Sequence, residues 1–182
     1  NNKKQDSQQD ERNQQLLVEI CRKMEQSEEI VNDRRRINSK VISAVVLFIA
    51  QQSCQQDPGV ERHRESMDTF TQIVQTLNDS TRLCFLNAIV NELRFPNNHT
   101  FYFSCIILFI YAEAKHADAG REIIQQQISQ IFLERLQTCG PYPWGLMISF
   151  RELIQNPKFA FMRKQYIREH PQSIANLFQG RL

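Results

Sequence analysis

The sequence predicts an all-α protein, an irregular HEAT-like array of antiparallel helical hairpins with about nine helices. Three observations lead there. Apolar residues recur at three- and four-residue steps along most of the chain. Glycine and proline are scarce, 5 and 6 in 182 residues, and sit mainly between apolar runs, so short turns join the helices. Twice, within 81–114 and again within 141–157, a proline-bearing break leads straight into an unusually apolar helix. No strict sequence period is visible, so the array is irregular.

Residues 1–10 are polar and without periodicity, which predicts a disordered terminus or linker ahead of a helical domain over 11–182. The first helix starts near Glu11, with Leu16, Leu17, Ile20 and Met24 on one face and Val31 as its outermost member. Asp33 to Arg36 form a polar junction, read as a solvated loop or helix start, with phosphate contact as the alternative. The second helix runs from about Asn38 to Ser53. Its β-branched centre, Val41 to Ala50, also suits a strand, but sixteen residues between polar breaks is too long for one. A helix apolar nearly all round is expected to be packed on most sides.

Asp57-Pro58-Gly59 is a turn signal, and the third helix follows from Val60 to Leu77 with Met67, Phe70, Ile73, Val74 and Leu77 inward. Asn78-Asp79-Ser80 offers capping oxygens to a fourth helix, Thr81 to Arg94, whose stripe is Leu83, Leu86, Ile89, Val90 and Leu93. Phe95-Pro96-Asn97-Asn98 is the sharpest break. The fifth helix, His99 to Lys115, surrounds an aliphatic centre with Phe101, Tyr102, Phe103, Phe109 and Tyr111 and should be the most buried of all. The sixth spans about Ala119 to Gln137. Gly140 suits a left-handed cap and a proline the first turn of the seventh, Trp144 to Gln155. Asn156-Pro157 ends it. Short helices near Phe159 to Arg168 and Pro171 to Phe178 complete the chain.

A net charge of +2, with 41% hydrophobic and 23% charged residues, fits neither a disordered chain nor a strongly basic nucleic-acid binder. Between Lys158 and Arg181, however, Lys158, Arg163, Lys164, Arg168 and Arg181 face a single acid, Glu169. A solvated helix face is the ordinary reading, and contact with RNA or an acidic partner the alternative. Cysteines 21, 54, 84, 105 and 139 contain no CxxC pair and read as buried thiols of a reducing compartment. The longest apolar run, Cys105 to Ala112, is far too short to span a bilayer. The sequons at Asn78 and Asn98 read as turn and cap sequence. Because the chain does not begin with Met, a fragment of a longer protein is expected.

Catalytic constellations are absent from the pattern. A cysteine nucleophile needs a neighbouring histidine, and His99 and Cys105 lie six apart on one helix. Pairings of Cys139 with His99 or His116 depend on folding, and His99 reads as a helix-start residue making a hydrogen bond. Zinc needs ligands at short spacing, which these residues do not offer. No phosphate loop, nucleophile elbow or carboxylate pair occurs, so neither metal nor cofactor is expected.

From about Val41 to Gln179 the chain resembles the C-terminal superfamily-homology domain of the Not scaffold, the large scaffold subunit of the eukaryotic Ccr–Not mRNA deadenylase complex. The resemblance rests on Phe85-Leu86-Asn87-Ala88-Ile89, Arg94-Phe95-Pro96-Asn97, His99-Thr100 with Tyr102-Phe103-Ser104, Leu133-Glu134-Arg135-Leu136 and Pro143-Trp144-Gly145-Leu146. It departs from the family in lacking the N-terminal part of that domain and in a longer turn, Lys115 to Arg121. The resemblance implies a non-enzymatic scaffold in cytoplasm and also nucleus. It would dock the heterodimer of Not-box subunits and short motifs of translational repressors such as Nanos, supporting deadenylation, mRNA decay and translational repression. No membrane contact is implied, and the deadenylase chemistry belongs to other subunits.

Grooves between hairpins suit such docking, and aromatic residues off the core stripe are the natural anchors. Phe159, Met162 and Tyr166 share one face and are assigned to the core. Phe161 and Ile167 fall off it, and Tyr102 and Trp144 begin their helices; these four are the docking candidates. The alternative function is an RNA-binding helical module using Arg34 to Arg36 and the segment from Lys158 to Arg168, with Arg163, Lys164 and Arg168 as contacts.

Overall fold

A computed structural model of the chain describes residues 2–31, 34–54, 60–113, 119–138 and 143–169. These form eight α-helices, a 3-10 turn and one two-stranded hairpin, and they divide into two compact units, 1–85 and 86–182. The array is all-α as expected, with the hairpin as its one addition. The ninth helix, the Asp57-Pro58-Gly59 turn and the segment from Cys139 to Tyr142 lie outside the described residues.

In the first unit, helix α1 spans Asn2–Gln26, so the lead-in expected to be disordered is helical from Asn2. It buries Cys21 and Met24, while Leu16 and Val18 face solvent. The helix does not continue to Val31. The Ser27 hydroxyl and N–H both turn back to the Met24 carbonyl, at 2.6 and 3.2 Å. Strand β1 (Glu28–Val31) then pairs antiparallel with β2 (Arg34–Ile37), Glu29 standing opposite Arg36. Asn38 N–H closes the base on the Ser27 carbonyl at 2.7 Å. The arginine run expected in a loop or helix start is therefore a strand. Its hint in the sequence was a pair of β-branched residues, Ile30-Val31, before an Asn-Asp turn dipeptide.

The Asn38 side-chain oxygen Oδ1 caps α2 (Ser39–Cys54), accepting from the N–H groups of Lys40 and Val41 at 3.1 and 3.2 Å. Only one face of α2 is covered: Ile42, Val46 and Ala50 are buried, four residues apart. Val41, Leu47 and Phe48 are exposed, Phe48 at 62%, which corrects the expectation that this helix is enclosed. The covered face packs on α3 (Val60–Thr76), which also meets α1. Phe70, Ile73, Val74 and Leu77 complete the core of this unit, with Phe70 and Phe85 in ring contact at 5.9 Å. Asn78 caps α4 (Asp79–Asn91) by accepting from Thr81 N–H at 3.0 Å, and its own N–H reaches Glu25 at 2.8 Å.

The boundary of the two units falls inside α4, whose Phe85 belongs to the first and Leu86 to the second. This helix buries Thr81, Arg82, Phe85, Leu86, Ala88, Ile89 and Val90 over about half of its circumference, and Leu83, Cys84, Asn87 and Asn91 on the remaining face are half-buried. It is thus more enclosed than the amphipathic stripe expected of it. Arg82 is held by Asp79 one turn earlier.

In the second unit, α5 (Asn98–Glu113) packs against α6 (Ala119–Thr138) and α7 (Trp144–Gln155). Helix α5 buries Tyr102, Phe103, Ile106, Ile107, Ile110 and Tyr111 but leaves Phe101 69% exposed. After α7 the chain does not form the single helix expected from Phe159 to Arg168. Ala160 takes a left-handed conformation (φ 49°), a 3-10 turn follows at Phe161–Arg163, and α8 is one turn, Gln165–Arg168. Helical spacing therefore misplaces this segment. Met162 is exposed, whereas Phe161 sits in the aromatic core, 5.7 Å edge-on to Phe150 and 6.4 Å from Tyr111. Phe132 stacks on Phe150 at 5.9 Å, and Tyr111 meets Phe159 at 5.7 Å.

Candidate functional site

The two proline-bearing breaks meet. After α4 the chain tightens through i to i+3 bonds, Glu92 N–H to Ile89 and Leu93 N–H to Val90, at 3.1 and 3.2 Å. Asn97 caps α5, its side-chain oxygen accepting from Thr100 N–H at 2.8 Å. The other break ends at Pro143, which sets φ at −60° for entry into α7 but has no side-chain oxygen to cap it. The first turn of α7 is instead capped by the first break: Gly145 N–H donates to the Arg94 carbonyl (3.4 Å) and Leu146 N–H to that of Leu93 (3.1 Å). So close an approach needs glycine, because a Cβ on Gly145 would overlap Thr100 Cγ2 and stand 3.0 Å from the Leu93 carbonyl carbon. The Thr100 hydroxyl donates to the Glu92 carbonyl at 3.1 Å, and His99 Nε2 pairs with the Glu92 carboxylate at 3.0 Å.

The junction encloses a groove of about 490 Å³. Val90, Leu93 and Leu146 form its buried floor. Phe95 and Pro96 from the first break and Pro143 and Trp144 from the second also line it, with Phe95 70% and Trp144 49% exposed. Arg94 and Arg135 are the ionisable side chains lining it. Arg135, from α6, is half-buried and donates from Nη2 to the Asn87 and Asn91 side-chain oxygens at 3.0 and 2.7 Å. It so ties α6 to α4 across two of the motifs singled out in the sequence. Arg94 is exposed and anchored by Nε, which donates to the Asn91 carbonyl at 2.9 Å. The groove offers an apolar floor, aromatic walls and two cations, and among the described residues that line it there is no nucleophile or acid–base pair.

Of the four docking candidates, Trp144 alone is at an open surface. Tyr102, Phe161 and Ile167 are 5%, 1% and 2% exposed, and all three are corrected to buried positions. Tyr102 points inward because α5 is covered on that side and Phe101 takes the solvent position; its ring lies edge-on to Phe103 at 5.3 Å. Phe161 and Ile167 turn inward with the break in helical phase at Ala160. The structure keeps Arg163, Lys164 and Arg168 on one short segment, Arg163 and Arg168 exposed, away from the lining of the groove. Arg36 is exposed on β2. Phe95, Arg94 and Arg135 were missed as site residues. The available signal was Phe95, a large apolar ring in a turn of otherwise polar and proline residues.

A second, more polar groove of about 320 Å³ runs along α6, lined by Gln126, Gln130, Glu134 and Gln137 with Tyr166 and Ile167. Behind it Tyr111 and Tyr166 share a hydroxyl contact at 3.1 Å, and burial first, then Tyr166, drives the Tyr111 phenol well above its usual range.

The thiols are equally quiet. Burial pushes Cys21 up to about 11, with Glu25 adding to it, and raises Cys84 and Cys105. Protonated thiols are poor nucleophiles. Cys139, His116 and His170 lie outside the described residues. Among the described residues no group of three His, Cys, Asp or Glu could hold a metal, and no helix is long and apolar enough to cross a membrane.

Residues 2–181 match the family model described as CCR4-Not complex component, Not1. The chain is 35% identical over 154 residues to the CCR4-NOT transcription complex subunit let-711 of Caenorhabditis elegans, covering 80% of this chain and 6% of that protein. It is 36% identical over 112 residues to the General negative regulator of transcription subunit 1 of Schizosaccharomyces pombe, covering 59% of this chain and 5% of that protein. The NOT1 superfamily homology domain from Chaetomium thermophilum superposes with a TM-score of 0.77 at 27% identity, over 89% of this chain and 33% of that one. A Not1 C-terminal domain solved in complex with Not4 superposes at 0.65 and 22% identity, over 79% and 30%, and speaks for the fold. The chain thus spans a small fraction of its full-length relatives and about a third of the solved domains.

Proposed function

Because the chain belongs to the family of the CCR4-Not complex component Not1, we propose that it is a non-enzymatic docking surface of the scaffold in that complex. It binds the heterodimer of Not-box subunits and short linear motifs of translational repressors such as Nanos. By holding them it supports mRNA deadenylation, decay and translational repression, in cytoplasm and nucleus. The observation that carries this reading is the groove where the two proline-bearing turns meet, with exposed Phe95 and Trp144 over a buried aliphatic floor. Large aromatic rings at the mouth of an apolar groove are what peptide partners use as anchors. A relative of the same fold has been solved with Not4 bound, in keeping with protein partners on this architecture.

The test is capture of the purified Not-box heterodimer by this chain at low and high salt, for the wild type and for Phe95→Ala and Trp144→Ala. Retention at high salt, weakened about tenfold or more by either change, is the expected result. Loss of capture in both salts by a chain shown folded by circular dichroism overturns it. RNA capture that falls steeply with salt and depends on Arg163 and Arg168 would move the function to nucleic acid instead.

A further inference from the structure

We propose that the groove at the junction of the two turns selects an acidic-aromatic peptide, an extended segment that sets an apolar side chain on the aliphatic floor and a carboxylate against Arg94. This rests on the docking reading above and adds the chemistry of the occupant. The volume, about 490 Å³, falls in the range of sites that bury a few side chains. Val90, Leu93 and Leu146 at its floor have no polar group to offer a ligand other than backbone, so the buried end of the ligand is apolar.

Charge decides the rest. Both ionisable side chains on the lining are arginines, and the nearest acid of the first turn, Glu92, is committed to His99. Arg135 already donates to Asn87 and Asn91, which fixes a positive charge in the wall. Arg94 is bound at the rim by Nε alone among its described contacts, and its planar fork matches a carboxylate. A basic ligand would meet the exposed Arg94 guanidinium at the rim. Nucleic acid fits less well, because two cations, one of them engaged in the protein, supply few of the phosphate contacts such binding depends on.

Trp144 is the single tryptophan of the chain, so its emission reports this groove alone. The probe is a short peptide of alternating glutamate, phenylalanine and leucine, titrated against the whole chain, with counterparts carrying glutamine or lysine in place of glutamate. The glutamate peptide should shift the emission saturably. The glutamine peptide should bind about tenfold more weakly and the lysine peptide without measurable effect. Arg94→Glu should abolish the preference for glutamate, while Arg151→Glu, on the solvent side of α7, should preserve it. Arg94 is exposed, so the change leaves the core intact. Equal binding of glutamate and glutamine peptides overturns the charge selection yet leaves an apolar dock. No shift with any peptide overturns the proposal, while capture of the Not-box heterodimer decides the docking reading separately. A shift produced by a single-stranded RNA oligonucleotide, absent with the glutamate peptide, would assign the groove to nucleic acid.

Discussion

Helices α2 and α5 are the two most apolar stretches of the chain, and they end up in opposite surroundings. Helix α2 covers Ile42, Val46 and Ala50 and leaves Val41, Leu47 and Phe48 in solvent. Helix α5, of the same length, packs against both α6 and α7 and buries Tyr102, Phe103, Ile106, Ile107, Ile110 and Tyr111, with Leu108 and Phe109 half-buried and Phe101 exposed. Apolar content sets how much surface a helix would gain by hiding; the number of elements packed on it sets how much is hidden. The same comparison explains where polar partners appear. On the covered helix the Ser104 hydroxyl meets that of Ser149 at 2.7 Å and Tyr111 meets Tyr166, because a buried polar atom must be satisfied.

The contrast should show first in stability. Phe103 is fully buried, and Phe103→Ala should cost about 3–5 kcal/mol through lost burial and the cavity left behind, read as a lower urea midpoint. A loss below about 1 kcal/mol would show that α5 is not the rigid centre of its unit. Next, Gly145→Ala tests the approach of α7 to α5. Its Cβ meets Thr100 Cγ2 and the Leu93 backbone, so the chain should lose about 1–3 kcal/mol, and Thr100→Ser in the same chain should recover part of it.

The capping asparagines sharpen the comparison differently. Asn38→Ala at α2 and Asn97→Ala at α5 should each cost about 1 kcal/mol, since a cap bonds the local backbone whatever the helix buries later. A large inequality between the two would mean that burial, not local chemistry, governs the ends. The smallest effect is expected for Phe48→Ala. At 62% exposure it should change stability by less than about 0.5 kcal/mol while reducing retention on a hydrophobic column. A loss comparable to that of Phe103→Ala would show that Phe48 is covered in solution.

Much of the fold was legible because helix ends are written locally. Asn38, Asn78 and the asparagines after Pro96 all sit at helix starts, and α7 runs from Trp144 to Gln155 as its flanking prolines imply. The hairpin was overlooked because its strands are four residues each, too short for a period-2 pattern to stand out beside the helical ones. The segment after α7 was misread because one left-handed residue, Ala160, resets the phase on which Phe161 and Ile167 had been placed. Of the site, Trp144 was recognisable as an aromatic ring opening a helix behind a proline. Its companions Phe95, Arg94 and Arg135 were not, since they come together only when a turn at 92–97, the start of α7 and the last turn of α6 converge.

What the residues determine alone is therefore the inventory of helices, their caps and breaks, and the family motifs along them, all governed by bonds and clashes within a few residues. Which side of each helix is hidden, that Gly145 lets one proline turn cap the helix behind the other, and that two arginines line the resulting groove were decided by tertiary packing. Burial and electrostatic surroundings depend on which distant segments arrive at a helix, and no local spacing encodes that arrival.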